Sequence, residues 1–241
     1  MKLLLFGRFA GAVPVRSVHL DVTSVLGQDN KQRCVQALRQ MKPFRLLKDV
    51  EPEKKAAVLV PLCLVDGNLS LLYTVRSANL RTNRGEVSFP GGMQDSIDSS
   101  LVETALRETE EELGIKSSSI DIWSAANFVP TYSGKVAVMP VLGYAGSVDL
   151  QKLKVNDQEV ETVFSLPLRQ LCDPEVCRHT QFRSRPIAWP VYHAPGQPIV
   201  WGLTAFITHI MLRVLVPNSY KKQLTAIKPI KDETNSKTHK P

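Results

Sequence analysis

No stretch of this chain is apolar for long enough to cross a bilayer as a helix, which takes about 18 or more residues with few or no charges. The nearest candidate, residues 199–216, is interrupted by Thr204, Thr208, His209 and Arg213 and reads as a packed C-terminal helix. Cysteine is scarce, with 4 in 241 residues, and Cys34, Cys63, Cys172 and Cys177 form no C-x-x-C unit and no zinc-type spacing. That excludes a cysteine-built zinc site and fits a reducing compartment, with Cys63 a small core residue inside an apolar strand. None of the 5 histidines stands beside a second ligand type, so no zinc or nucleophile–base constellation is present. There is no internal repeat.

The length suits a single domain with tails, expected as a monomer, and the hydrophobic fraction of 43% is ordinary for a globular protein. The net charge of +7 hints at nucleic acid, but the excess lies at the two ends. Lys221, Lys222, Lys228, Lys231, Lys237 and Lys240 crowd residues 219–241, a composition that reads as a solvated, disordered tail. Residues 1–27 carry Lys2, Arg8 and Arg16 with no acid before Asp21. Arg8 cuts the apolar stretch too early for a secretory signal, so a mitochondrial presequence is expected, against an ordinary disordered N-terminus.

A further absence points to chemistry: the acid-rich run 108–112 contains no base. It lies within residues 92–115, read as an acidic helix with a capping box at Ser100 and Glu103 and a terminating Gly114. Leu101, Ala105, Leu106 and Leu113 give it an apolar side, and Glu103, Arg107 and Glu111 a ladder of i, i+4 pairs. Glu108, Glu111 and Glu112 fall at i, i+3 and i+4 and share one strip of surface. Solvated acidic faces usually intersperse lysine; this strip does not, and a hard divalent cation is the counter-charge expected. Phe89-Pro90-Gly91-Gly92 precedes it, with glycines that permit close approach of backbone to a ligand.

These residues resemble the nudix hydrolases, whose motif is G-x5-E-x7-R-E-U-x-E-E-x-G-U with U bulky and apolar. Arg107 to Ile115 match it, with Thr109 at one U position. Six residues after Gly92 stands Asp98 rather than Glu, and the spacing from there to Arg107 is one residue longer. That variant, together with Leu72-Tyr73-Thr74-Val75-Arg76-Ser77, Arg81, Gly85 and Phe89 to Gly92 upstream, is similar to the coenzyme A diphosphatase subfamily, in particular its mitochondrial branch. The likeness runs from about residue 56 to 217 and includes Trp201-Gly202-Leu203-Thr204-Ala205. The peroxisomal branch is expected to end in an address of the Ser-Lys-Leu type, whereas this sequence reads His239-Lys240-Pro241.

Elsewhere the pattern predicts a short amphipathic helix at 28–47 and a buried strand at 56–65. An Asp66-Gly67 hairpin returns through 69–75, further strands follow at 120–129, 136–144, 160–166 and 189–192, and a helix occupies 203–215. This is an α+β order, and the resemblance implies an α/β/α sandwich with a mixed sheet and an acidic catalytic helix, the domain spanning 28–218. It also implies Mg²⁺ or Mn²⁺ on Glu108, Glu111 and Glu112, with Glu111, Glu108 and Glu159 as catalytic candidates. Arg76 and Arg81 are expected to bind phosphate, with Thr74 and Ser77 as hydroxyl partners beside Gly91 and Gly92; Arg84 lies outside the motif.

The implied reaction splits coenzyme A or its acyl esters into 3′,5′-ADP and 4′-phosphopantetheine or its acyl form, and action on dephospho-coenzyme A caps of RNA is conceivable in vitro. Two other readings stay open: a broader hydrolase of ADP-ribose, NADH or oxidised nucleotides, and a catalytically silent nucleotide-binding module.

Overall fold

The computed structural model describes residues 20–43, 52–80, 82–131, 133–181 and 188–224. Its centre is β1 (Lys54–Val65), an almost continuously apolar strand hydrogen-bonded on both sides, as a doubly covered strand requires. β2 (Asn68–Arg76) returns antiparallel through a tight turn in which Asp66 and Gly67 both have positive φ, 48° and 73°. That pair matches the right-handed twist of a hairpin, so the Asp-Gly signal is borne out.

β1 runs parallel to β7 (Val136–Ser147) and antiparallel to β4 (Gly91–Met93). The sheet is extended by β3 (Val87–Ser88) and β8 (Val160–Pro167) on β2, and by β5 (Asp121–Ala125) and β6 (Val129–Pro130) on β7. The two-residue period of β1 assigns each face. Ala57, Leu59, Cys63 and Val65 pack with Ala105 and Leu113 of helix α3 (Leu101–Leu113), while Ala56, Val60 and Leu62 join the core with Leu38, Ala205 and Leu212. Those belong to α2 (Gln28–Arg39) and α5 (Gly202–Leu215), so a mixed sheet lies between helices as expected. All four cysteines are buried and free.

The structure departs from the sequence reading at several places. Residues 91–93 form β4 and the stretch to Ser100 is turn and bend, so the helix begins at Leu101 and not at Gly92. The first helix ends at Arg39, eight residues short of its expected end, and residues 44–51 lie outside the described residues. The strand expected at 120–129 is broken between β5 and β6, where the Ala126 N–H donates to the carbonyl of Pro140 (2.8 Å). β9 (Cys177–Gln181), unforeseen, pairs with β10 (Ala188–Tyr192) in a separate ribbon, and α4 (Leu168–Leu171) follows β8.

At the N-terminus, residues 1–19 lie outside the described residues, but α1 (Val22–Leu26), capped by Asp21, occupies part of the 1–27 stretch and buries Val25. At the other end Tyr220 is buried within the stretch read as tail, its hydroxyl bonded to Tyr192 (2.8 Å) and to Nδ1 of His209 (2.9 Å). Residues 225–241 lie outside the described residues. Among the described residues no helix is long and apolar enough to cross a membrane.

Candidate active site

Helix α3 is set at both ends. The Ser100 hydroxyl accepts from the Glu103 N–H (3.2 Å), while Glu103 Oε2 accepts from the N–H and hydroxyl of Ser99 (2.9 and 2.6 Å). This is a capping box whose return bond is displaced by one residue. Gly114 closes the helix at φ 70°, a left-handed position natural to glycine. Thr109, at an apolar place in the motif, is buried and satisfies its hydroxyl on the carbonyl of Ala105 (2.6 Å). Glu110 faces away from the other acids, bonded to Lys116 (2.7 Å) and to Ser117.

With Glu103 engaged at the cap, Arg107 takes a different partner. Its Nε and one terminal nitrogen donate to the two oxygens of Asp98 (2.9 and 3.0 Å), which also accepts from the Thr104 hydroxyl (2.9 Å). The guanidinium then reaches Glu108 (3.0 Å) and Glu111 (3.1 Å). Of the expected Glu103–Arg107–Glu111 ladder the Arg107–Glu111 rung is present, while the Glu103 rung is replaced by an Asp98–Arg107 fork. The acid strip does have a cation beside it. Its partner Asp98, nine residues away across a loop, is what the spacing did not show.

Glu108, Glu112 and Glu159 bring carboxylate oxygens within 4.8 Å of one another. Glu159 comes from the turn before β8, which is pinned to the end of α3: Asn156 N–H donates to Glu112 O (2.9 Å) and Lys154 N–H to Leu113 O (3.2 Å). The Ser77 N–H donates to Glu159 O (2.8 Å), joining that turn to the end of β2. Glu111 lies outside this trio, its side chain 52% exposed and held by Arg107.

Glu112 is only 3% exposed, and its Oε2 is buried without a hydrogen-bond partner. Burial pushes its pKa up to about 8, with the charges of Glu108 and Glu159 adding to the rise and Arg76 and the Gly91 N–H opposing it. Glu108 is raised as well, chiefly by burial and against the pull of Arg107. A buried carboxylate oxygen with no donor, converging with two further carboxylates, is the donor set a hard divalent cation takes. These residues fit Mg²⁺ or Mn²⁺.

The glycines are explained by what lies next to them. A Cβ at Gly92 would fall 2.5 Å from the Glu108 carboxylate, and one at Gly91 (φ 147°) only 2.3 Å from the carbonyl of Ala57. β4 therefore lies directly against the acid trio.

Of the expected binding residues, Arg76 ends β2 close enough for its charge to act on Glu112, and its Nε is buried without a partner among the described residues. Thr74 and Ser77 are both buried; Thr74 Oγ1 bonds Ser88 Oγ (2.9 Å) and Ser77 Oγ accepts from the Asn79 N–H (3.3 Å). Their hydroxyls brace the strand end, a role the motif did not reveal. Arg84 Nε donates to the carbonyl of Leu80, and Arg81 lies outside the described residues. Tyr73, also buried, stacks between Phe89 (4.8 Å) and Phe164 (5.4 Å) beneath the site.

A mixed sheet between helices, with glutamates from one helix and one turn converging on a Gly-Gly strand, defines a hydrolase built around divalent-cation ligands. The chain belongs to the Nudix family: the NUDIX domain model matches residues 53–189. It is 40% identical over 208 residues, 80% of this chain and 85% of the relative, to mitochondrial coenzyme A diphosphatase NUDT8 of Homo sapiens. Nudix hydrolase 3 of Caenorhabditis elegans is 34% identical over 218 residues, covering 82% of this chain and 90% of that protein. Peroxisomal coenzyme A diphosphatase NUDT7 of Mus musculus is 39% identical over 123 residues, 51% of this chain and 50% of that one.

Proposed function

We propose that this protein hydrolyses the pyrophosphate bond of coenzyme A and its acyl esters, releasing 3′,5′-ADP and 4′-phosphopantetheine or its acyl form. The observation that carries the reading is the placement of Arg76 beside the acid trio, close enough for its charge to act on Glu112. The names of the mitochondrial and peroxisomal relatives support it.

In this reading Glu108, Glu112 and Glu159 would hold Mg²⁺ or Mn²⁺, with Glu111, held by Arg107 at the rim, as a further ligand. Such a cation neutralises charge on the phosphoryl oxygens and lowers the pKa of an attacking water. Glu159 is also the candidate base, held beside the helix glutamates by a turn pinned to α3 and to the end of β2. The backbone of Gly91 and Gly92 lets the pyrophosphate approach without a side chain intervening. Arg76 and Arg81 take phosphate oxygens, and Thr74 and Ser77 hold the end of β2 in place for them. Water gives a proton to the base and adds its oxygen to phosphorus, while the bond from that phosphorus to the anhydride oxygen breaks and the oxygen leaves with the other product.

The protein acts as a single-copy nudix domain behind a mitochondrial presequence. The test is kcat/KM for coenzyme A against ADP-ribose, NADH and 8-oxo-dGTP with Mg²⁺ or Mn²⁺. Preference for coenzyme A supports the reading. Preference for another substrate points to the broader hydrolase, and no turnover of any of them to a binding module.

A further inference from the structure

Two large apolar side chains stand exposed within three residues of each other at the start of α5: Ile199 at 46% and Trp201 at 45%. Single exposed apolar residues are ordinary, but this pair sits on a turn braced from several sides. Val200 exchanges both backbone bonds with Tyr192 (2.9 Å each), and the Ala205 N–H donates to Trp201 O (3.3 Å). Under it Trp189 packs on Phe206, ring centres 4.9 Å apart. Gly202 opens the helix at φ 60°, with nothing beyond its chain neighbours within 4 Å of a Cβ built there.

The turn is also tied to the active site. Thr204 Oγ1 donates to Val87 O (2.8 Å), and Val87 pairs with Val75, the residue before Arg76. Two residues past Val87 the chain enters Phe89-Pro90-Gly91-Gly92. The short strand at Val87 therefore anchors the first turn of α5, just after Trp201, pairs with the end of β2 just before Arg76, and runs on into the Gly-Gly approach to the acids.

We propose that Trp201, flanked by Ile199, is the platform on which the adenine base of the substrate stacks. The inference rests on the coenzyme A reading above. In that substrate the base is one ribose away from both the 3′-phosphate and the pyrophosphate, so a group that reads it belongs beside Arg76. A half-exposed indole offers the flat π-face that a nucleobase prefers. Trp201 is thus a specificity-determining residue, distinct from the groups that act on the reacting phosphorus.

The experiment compares wild type, Trp201→Phe and Trp201→Ala. Wild-type turnover of coenzyme A is measured first: its absence would sink the coenzyme A reading, whereas the platform is judged separately by binding. Loss of the indole in Trp201→Ala raises KM for coenzyme A about tenfold, in the range of one base–aromatic stack, with kcat within about twofold. Trp201→Phe, which keeps an aromatic face, recovers most of that loss. In binding, 3′,5′-ADP quenches the fluorescence of wild type, and the quenching is lost in Trp201→Phe while 4′-phosphopantetheine quenches neither. Quenching unchanged in Trp201→Phe, or produced by 4′-phosphopantetheine and not by 3′,5′-ADP, would overturn the platform. The second result would assign the ledge to the pantetheine arm. The binding readout uses wild type and the conservative variant, so it stands even where Trp201→Ala fails to fold.

Discussion

Gly92 and Glu108 touch in a way that leaves no room for a side chain between them: a Cβ on the glycine would lie 2.5 Å from the carboxylate. The obstacle is the end of a side chain and not backbone, so Gly92→Ala is relieved by moving Glu108 away from Glu112 and Glu159. The expected outcome is a folded protein with weakened Mn²⁺ binding and kcat down by about 10²-fold or more. Gly91→Ala should behave differently, because its φ of 147° and the Ala57 carbonyl at 2.3 Å are backbone constraints. There the melting temperature should fall by about 5 °C or more. Calorimetry and Mn²⁺ titration of the two variants separate the cases.

Asp98 is a positioning residue for Glu108 through Arg107. Its side chain is 3% exposed, and the fork of 2.9 and 3.0 Å bonds holds its carboxyl well below the usual carboxylate range. Asp98→Asn keeps the shape and removes the charge, leaving Arg107 freer to draw Glu108 and Glu111 from the ion. The expected result is kcat lower by about 10–100-fold with KM for coenzyme A little changed, as for outer groups that orient metal ligands. Steady-state kinetics at saturating Mg²⁺ checks this.

Glu112 makes the metal-free protein sensitive to pH. Its pKa rises from an ordinary 4.5 to about 8 on folding, so the folded state holds the proton more tightly. This contribution to stability is fully present below about pH 4.5, declines as pH rises, and is lost on passing through about pH 8. Glu112→Gln cannot lose a proton there. In chelator the variant should gain in melting temperature relative to wild type between pH 5 and 8, and Mn²⁺ should reverse the order at pH 8. Parallel curves at all pH values would contradict the buried, unpaired state of Glu112.

Arg76 and Arg81 are expected to read phosphate. Their alanine variants should raise KM for coenzyme A about tenfold or more, and for the arginine on the 3′-phosphate the effect should shrink with 3′-dephospho-coenzyme A. Equal effects on both substrates for both variants would place these side chains on the pyrophosphate instead.

Much of the fold was legible because its signals are local. The apolar run of β1, the Asp66-Gly67 turn and the Ser100 to Gly114 helix each follow from spacing and capping within a few residues. The site was legible in part for the same reason: Glu108 and Glu112 share a helix face. Asp98 with Arg107, and Glu159 with the helix glutamates, meet through loop closure, which no period in the sequence reports. Thr74 and Ser77 read as ligand hydroxyls in the motif; both are buried, and their bonds to Ser88 and Asn79 could not be read from it. The strand at 189–192 was expected and is β10, whereas its partner β9 escaped notice because Cys177-Arg178-His179-Thr180-Gln181 has neither a hairpin turn signal nor clear alternation.

The most direct measurement is the mass of the products formed from coenzyme A by wild type and by Glu112→Gln, each with Mg²⁺ and with chelator. Release of 3′,5′-ADP and 4′-phosphopantetheine by wild type with Mg²⁺, and in none of the other three conditions, is the predicted result. Intact coenzyme A in all four, or the same products from Glu112→Gln at the wild-type rate, would contradict it.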